Sequence, residues 1–284
     1  ILIRKLRMER IAAVSFMILL GATAGAQNIE TRLSLLEDHL LRLSKQVATC
    51  CGQTGGEKNN VFHDVLIGGR HPKDCTELYN AGHRCEGIYY IQPNESPTKF
   101  PVKCQMYDGG WTIIMNRYDG TADFYRTWAE FKSGFGSVTG EHWLGNDRVH
   151  LLTNQKQYKL QVDFTYFASG VSYYAQYSHF RISNEANKYK LDIAGYTGNS
   201  GHDGLTGHSG LPFSTKDREN DKHTGVHCAQ YYKGAFWHSA CHSYSFPFGL
   251  YKSTCAGHDC IEWGRTEGSN NKSVKTMVMK VKSV

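Results

Sequence analysis

The chain has 284 residues, a formal net charge of +6 at pH 7, 40% hydrophobic residues and nine cysteines. This length suits one globular domain of about 200 residues with an appended segment. The positive charge is modest and no dense basic cluster occurs, which argues against nucleic acid as a partner. Nine cysteines favour an exported protein with a disulfide framework, and the odd number requires an interchain bond or a free thiol.

Residues 1–26 have the three parts of a secretory signal. Residues 4–10 are basic, residues 11–20 are apolar, and the small residues 24–26 form a cleavage site before Gln27. An uncleaved anchor is the alternative, although the apolar stretch is shorter than the roughly 20 residues of a full membrane span. No other segment is predicted to cross a membrane, so we expect a secreted, extracellular protein.

Residues 27–51 carry a heptad pattern that predicts a coiled coil and therefore a homo-oligomer. Position a is occupied by Leu33, Leu40 and Val47, and position d by Ile29, Leu36, Leu43 and Cys50. A single amphipathic helix packed on the domain is the alternative. Because Cys50 falls on the seam and Cys51 follows it, both are candidates for bonds between chains. The pattern leaves dimer, trimer and tetramer open, and any of them would raise avidity.

Residues 52–73 read as a linker with glycine clusters at both ends, and residues 74–284 as a globular α+β domain. Asp74, with Glu77 three residues later, predicts a capped first helix that Gly82 can end. The β-branched, aromatic or alternating stretches predict strands at Val102–Met106, Trp111–Arg117, Lys159–Phe164, Tyr173–Ile182, Tyr189–Ala194 and Thr276–Lys282.

Two more helices and a loop-rich final third complete the predicted domain. Phe124, Trp128 and Phe131 have helical spacing, and Gly134 ends that helix. A second short helix is predicted near Asp147–Leu152. The glycines of residues 195–215 fit no phosphate-binding pattern, so nucleotide binding is not supported.

Acidic residues at alternate positions indicate a candidate calcium loop. Asp217, Glu219 and Asp221 can offer the oxygen ligands that Ca²⁺ prefers. The EF-hand pattern fails, because Lys222 and Cys228 stand where that loop needs glycine and glutamate. A solvated acidic loop is the alternative interpretation.

An aromatic run between Cys228 and Cys241 indicates a candidate binding pocket beside that loop. A disulfide between these cysteines would hold the run, which includes Tyr232 and Trp237 and ends at His242. Aromatic side chains in such a run are more often core than ligand platform.

The sequence offers no catalytic arrangement, and we therefore expect a binding protein and no enzyme. The GxSxG and HExxH patterns are absent. Cys255, His258 and Cys260 imitate a zinc cluster, but a local Cys255–Cys260 disulfide is favoured in an oxidising compartment.

From Asp74 to the C-terminus the chain resembles the fibrinogen C-terminal (fibrinogen-related) domain. The motifs that carry the resemblance are DCTEL at 74–78, GIYYIQP at 87–93, GGWTIIMNRYDGTADFYRTW at 109–128, WLGNDRVHLLT at 143–153, FSTKDREND at 213–221 and CAQYYKGAFWHSACH at 228–242. Within that family the pattern looks most like the ficolin and tachylectin type of acetyl-group lectin.

The resemblance implies a twisted antiparallel sheet followed by a loop-rich, Ca²⁺-binding third. It places Ca²⁺ near Asp217 and Glu219, with backbone carbonyls around Asp221 and His223. It implies an acetyl-binding pocket that involves Tyr232, Cys241 and His242, with a cis bond at Ala240–Cys241. It also implies the disulfides Cys75–Cys104 and Cys228–Cys241, and it assigns no partner to Cys85.

These observations predict a secreted, oligomeric, Ca²⁺-dependent lectin that recognises acetylated or other glycans on microbial surfaces in innate immunity. The alternative is a protein-receptor ligand or matrix protein that uses the same domain. Departures from the lectin pattern keep the alternative open: Glu219 replaces an aspartate, and the 245–260 segment, with Cys255 and Cys260, replaces the usual pocket wall. Asn271 and, more weakly, Asn94 are glycosylation sequons.

Overall fold

The computed structural model describes residues 62–243, 245–255, 257–264 and 273–284, and all of them belong to one compact unit. The predicted signal, the predicted coiled coil, Cys50, Cys51 and Asn271 lie outside these residues. Asn94 is described and is exposed. Among the helices in the described part of the chain, none is both long enough and apolar enough to span a membrane.

The described ranges contain twelve strands and four short α-helices. The strands are β1 Phe62–His63, β2 Gly87–Ile91, β3 Phe100–Gln105, β4 Trp111–Arg117, β5 Phe135–Gly136, β6 His142–Trp143, β7 Tyr158–Tyr166, β8 Ser172–Ile182, β9 Leu191–Gly198, β10 Ser245–Phe246, β11 Glu262–Trp263 and β12 Val274–Ser283. The helices are α1 Cys75–Asn80, α2 Trp128–Ser133, α3 Asn146–Asn154 and α4 Cys228–Tyr231.

A single large sheet organises the first part of the domain. Its strand order is β1-β2-β3-β4-β12-β7-β8-β9, and every pair along it is antiparallel except β1–β2. β12 therefore lies in the middle, paired with β4 on one side and with β7 on the other. Alternate residues of β3 and of most of β7 are buried, as expected of strands with one face on the core.

Local sequence signals define the helix ends. The Asp74 side chain accepts a hydrogen bond from the Glu77 N–H group and caps α1. Thr127 and Glu130 form a reciprocal capping box at the start of α2. The helix ends at Gly134, whose φ of +87° is costly for any residue with a Cβ.

Part of the predicted linker lies on the sheet. Residues 62–73 contribute β1, in which Phe62 pairs with Ile88 and His63 with Tyr89. The side chain of Lys99 forms an ion pair with Asp64. The sequence did not indicate this, because two paired residues are too short to carry a strand pattern.

Residues 199–264 contain little regular structure and pack through aromatic side chains. Phe248 is fully buried, and its ring centroid lies 5.0–6.4 Å from the rings of Phe124, Phe131, Trp143, Phe213, Phe236 and Trp237. Edge-to-face ring contacts at these distances stabilise a fold by more than the burial of their apolar area alone. This cluster joins the loop-rich part to α2 and to the sheet.

The structure contains all three disulfides expected from the sequence. They are Cys75–Cys104, Cys228–Cys241 and Cys255–Cys260. Cys85 is disulfide-bonded as well. The first bond ties α1 to β3, whereas the other two lie within the loop-rich part.

Candidate functional site

The acidic loop is attached directly to the disulfide loop beside it. Both carboxylate oxygens of Asp221 accept backbone hydrogen bonds, one from the His223 N–H (2.9 Å) and the other from the Cys228 N–H (3.0 Å). The Lys222 N–H donates to the Ser239 carbonyl at 3.0 Å. A displacement of the acidic loop would therefore be transmitted to residues 239–241.

The three acidic side chains do not converge on one point. Among the described residues, the only group of three or more His, Cys, Asp or Glu ligand atoms within 4.8 Å of one another is Cys255, Cys260 and Glu262, and its two cysteines form a disulfide. Oδ1 of Asp217 accepts hydrogen bonds from the Trp128 N–H group and the Thr215 hydroxyl group.

Two carboxylates of the acidic loop nevertheless remain available to a cation. The second oxygen of Asp217 and the whole carboxylate of the exposed Glu219 have no hydrogen-bond partner among the described residues. Because the Asp221 carboxylate is committed to backbone N–H groups, only its carbonyl could serve. These donors fit a site built from two carboxylates and the carbonyls of Asp221 and His223.

The expectation of a cis bond at Ala240–Cys241 is wrong for this structure, since the described peptide bonds are all trans. Cys241 instead adopts a positive φ of +72°. Its carbonyl accepts from the Ser239 N–H at 2.9 Å, which closes a tight turn. The disulfide to Cys228 holds this left-handed conformation, which costs a residue with a Cβ about 1 kcal/mol or more.

Trp237 does not contribute to a binding surface. Its side chain is fully buried, and its indole N–H donates to the Tyr189 carbonyl at 2.8 Å. The inclusion of Trp237 among the ligand-binding residues is therefore wrong. The interpretation of this aromatic run as core was correct for Phe236 and Trp237.

Tyr231 and Tyr232 form the aromatic surface of the site. Tyr231 is 63% exposed and Tyr232 is half-buried, and their ring centroids lie 4.8 Å apart. Tyr232 meets the edge of His242 at 4.6 Å. The His242 ring in turn stacks on Phe246 at 4.6 Å with nearly parallel planes.

His242 lies beneath this surface, with only 3% of its side chain exposed. Its Nε2 lies 3.0 Å from the His258 carbonyl, which can only accept, so Nε2 carries a proton. Its Nδ1 lies 3.2 Å from Oε1 of the fully buried Glu262. Glu262 Oε2 lies 3.1 Å from Nδ1 of His258, whose side chain is 41% exposed.

Burial lowers the pKa of His242 to about 4. The ring is therefore neutral at physiological pH, with its proton on Nε2. Enclosure of the ring by protein is the main cause of this lowered pKa, because the charged form of the ring loses its hydration.

Glu262 and His258 were missed by the sequence reasoning. The only signal was the i, i+4 spacing of His258 and Glu262, which lie on either side of Cys260. The Cys255–Cys260 disulfide encloses His258, and Glu262 follows two residues later on β11. Together they form the rebuilt wall that the 245–260 segment indicated.

A pair of backbone donors lies in the same stretch of the chain as the aromatic and basic side chains of the site. The backbone N–H groups of Cys241 and His242 have no acceptor among the described residues. Nearby in the chain, Lys233 Nζ lies 5.5 Å from the ring centroid of Tyr125, and Lys216 Nζ lies 4.7 Å from the same ring.

The family model of the C-terminal globular domain of fibrinogen beta and gamma chains matches residues 71–284. Bovine fibrinogen-like protein 1 is 39% identical over 244 residues, which is 80% of this chain and 76% of that protein. Fibrinogen C domain-containing protein 1 of Xenopus tropicalis is 38% identical over 93% of this chain, which spans only 63% of that protein's length.

Solved structures give the same result. The fibrinogen-like globe domain of human ANGPTL2 superposes with a TM-score of 0.70 at 37% identity, covering 75% of this chain and 99% of that one. A lamprey fibrin D-dimer complexed with the peptide ligand Gly-His-Arg-Pro-amide has a TM-score of 0.67 at 28% identity, covering 98% of this chain and 94% of that one. The chain therefore belongs to the fibrinogen C-terminal domain family.

Proposed function

We propose that this chain is an extracellular binding protein whose fibrinogen C-terminal domain docks a protein ligand on the surface around the Cys228–Cys241 disulfide. The observation that carries the proposal is the exposed Tyr231 with the half-buried Tyr232 beside Lys233, next to two backbone N–H groups that have no acceptor among the described residues. Aromatic anchors and backbone donors are typical of sites that bind peptide segments.

The similarities favour a protein ligand over a glycan. The relatives include fibrinogen-like protein 1 and the globe domain of ANGPTL2, and the lamprey relative was solved with a peptide ligand. The burial of His242 supports the same choice, because its ring supplies no open cup for an acetyl methyl group. The earlier preference for an acetyl-group lectin thus becomes the second candidate.

One observation supports the second candidate function, an acetyl-group lectin. The free N–H groups of Cys241 and His242 could donate to an acetyl carbonyl, and the half-buried ring of Tyr232 could contact its methyl group. Acetylated glycans would then bind at the same position as a peptide carbonyl.

Ca²⁺ is the cofactor that we propose for this site. Asp217 and Glu219 would supply carboxylate oxygens, and Asp221 and His223 backbone carbonyls. The ion would neutralise the acidic loop and fix its backbone. Through the hydrogen bond from Lys222 to Ser239, a fixed loop keeps residues 239–241 in their binding conformation.

Oligomerisation through the predicted coiled coil of residues 27–51, with Cys50 and Cys51 as cross-links, is also a proposal. Three intrachain disulfides support an oxidising, extracellular location. Several binding domains on one stalk would strengthen attachment to a surface that carries many copies of the ligand.

Surface digestion tests the proposed function. The secreted protein is applied to target cells before and after treatment with protease, and separately after glycosidase, with calcium and with chelator. We expect binding to be lost after protease and retained after glycosidase. The double variant Tyr231→Ser/Lys233→Ser should weaken binding, whereas Lys275→Ser, which removes an exposed lysine of β12, should not.

The opposite pattern identifies the second candidate. Cell binding would then be retained after protease and lost after glycosidase. The protein would also bind acetylated albumin, and free acetate would compete. These results would replace the protein ligand by an acetyl-group ligand. Equal weakening by Lys275→Ser would mean that net charge alone governs attachment, and would contradict both candidates.

A further inference from the structure

The domain carries two adjoining cavities on elements other than those of the site above. Their volumes are about 490 and 410 Å³, within the range of about 300–1,000 Å³ typical of ligand sites. Both are lined by Asn154, near the end of α3, and by Arg181 on β8. We call the pair the α3–β8 groove.

Cationic side chains are distributed along the whole groove. Lys190 lines one cavity, Lys156 lines the other, and Arg181 lies between them. The Lys190 ammonium has no hydrogen-bond or ion-pair partner within the described ranges. The single carboxylate in the lining is Asp192, which accepts from Arg181 Nε at 2.6 Å and lies 3.1 Å from His179 Nε2.

The other two cations also keep donors free for a ligand. Arg181 uses only Nε on Asp192, so its two terminal nitrogens have no acceptor in the described part of the chain. Lys156 lies 3.5 Å from the buried carboxylate of Asp74, with 39% of its own side chain exposed. Arginine and lysine donors of this kind bind sulfate and carboxylate groups strongly.

The neutral lining favours a sugar over other anionic ligands. It consists mainly of amides and hydroxyls, which suit sugar hydroxyl groups, namely Asn154, Gln157, Ser183, Asn184, Asn187 and Ser209. The aromatic residues of the lining, Tyr158 and Phe180, are buried and present no face for a base to stack on. The groove also lacks the exposed apolar anchors of a peptide site.

We propose that the α3–β8 groove binds an anionic oligosaccharide, a chain of sugars that carry sulfate or uronic carboxylate groups. The anionic groups would contact Lys156, Arg181 and Lys190 in turn, and the hydroxyl groups would pair with the amides between them. This site is separate from the one around Cys228–Cys241. It would let the protein attach to acidic polysaccharide while the other surface engages its own ligand.

The test uses the full secreted chain and a heparin-derived octasaccharide of defined length. The affinity of the chain for the octasaccharide is measured at low and at physiological salt. A chemically desulfated octasaccharide and an acidic peptide of equal charge are measured for comparison. The double variant Lys156→Ala/Lys190→Ala should weaken binding roughly a hundredfold, because each lost charged contact costs about tenfold. The single variant Lys190→Ala, which leaves the Lys156–Asp74 contact intact, should weaken it about tenfold.

Lys275→Ala is the matched control, since it removes one exposed lysine outside the groove and should leave the affinity unchanged. Thermal unfolding of each variant separates loss of the site from loss of the fold. The proposal is overturned if the octasaccharide does not bind, if Lys275→Ala weakens it as much as Lys190→Ala, or if the acidic peptide competes equally well. The Tyr231→Ser/Lys233→Ser variant should still bind the octasaccharide. This result would show that the groove binds its ligand whether or not the proposed function is correct.

Discussion

The sheet and the loop-rich part of this domain are stabilised in different ways. In residues 87–198 long antiparallel ladders satisfy the backbone, and alternate side chains form the core. In residues 199–264 short turns, two disulfides and a cluster of aromatic rings replace the ladders. The surface assigned to ligand binding lies in the second region, where the backbone takes conformations that a ladder would exclude, such as the positive φ of Cys241.

The largest effect should come from the aromatic contact between the two regions. Phe248→Ala removes a fully buried ring that touches six others, and we expect a loss of about 3–5 kcal/mol of unfolding free energy. Urea titration measures this, and hydrogen exchange locates it. Protection should fall first in residues 199–264. An equal, simultaneous loss in β7 and β8 would show that the two regions unfold as one.

Removal of the Cys228–Cys241 disulfide should separate the regions further. The bond spans 13 residues, and its loss in Cys228→Ala/Cys241→Ala should cost about 3 kcal/mol. Limited trypsin digestion should then cut at Lys222 and Lys233 before any site in the sheet. Digestion as slow as in the unchanged protein would mean that packing alone holds this loop.

Acid should weaken the loop-rich part through its buried histidines. Burial lowers the pKa of His238 to about 3, far below the value of about 6.5 in an unfolded chain. The unfolded state therefore binds the proton first, so stability is complete above pH 6.5 and falls as the pH falls. The loss is about 1.4 kcal/mol per pH unit, or about 2 kcal/mol at pH 5.

His238→Phe isolates this contribution. Urea titration measures the unfolding free energy of both proteins from pH 7 to pH 5. Over this range the unchanged protein should lose about 2 kcal/mol more than the variant. Parallel curves would count against a buried neutral His238. Ligand binding should stay flat to about pH 5, because His242 is neutral over that range.

The smallest effect concerns the acidic loop. In chelator, Glu219→Gln should change the unfolding free energy by less than about 0.5 kcal/mol, because the side chain is exposed and without a partner among the described residues. Added Ca²⁺ should raise the melting temperature of the unchanged protein more than that of the variant. Glu86→Gln, another exposed carboxylate, is the control and should respond to Ca²⁺ as the unchanged protein does.

The same contrast explains what the sequence could predict. Trp111–Arg117 was predicted with its observed ends, because a short run rich in aromatic and β-branched residues that follows two turn glycines encodes a buried strand locally. Tyr189 was assigned to a strand, but it has a φ of +48° and lies outside β9, since tertiary contacts with Trp128 and Asp147 determine its place.

The sequence predicted where in the chain the candidate site lies, but it did not predict which side chains of that stretch are accessible. The neighbouring sequence does not distinguish the exposed Tyr231 from the buried Trp237. Exposure depends on tertiary packing, in which Phe248 and the rings around it cover Trp237. The contact of His242 with Glu262, 20 residues later in the chain, likewise lies far beyond one helical or strand repeat. Family resemblance predicted two of the disulfides, whereas the third, Cys255–Cys260, was predicted from the short separation of its cysteines.

The central position of β12 has a consequence for the synthesis of the protein. β12 is synthesised after every other described strand of the sheet, yet it separates β4 from β7. Until they emerge, each of those strands lacks one hydrogen-bonded neighbour, and exposed strand edges invite pairing with other chains. The sheet therefore closes only after most of the domain has been translated, so two strand edges stay open to chaperones or to other chains during that interval.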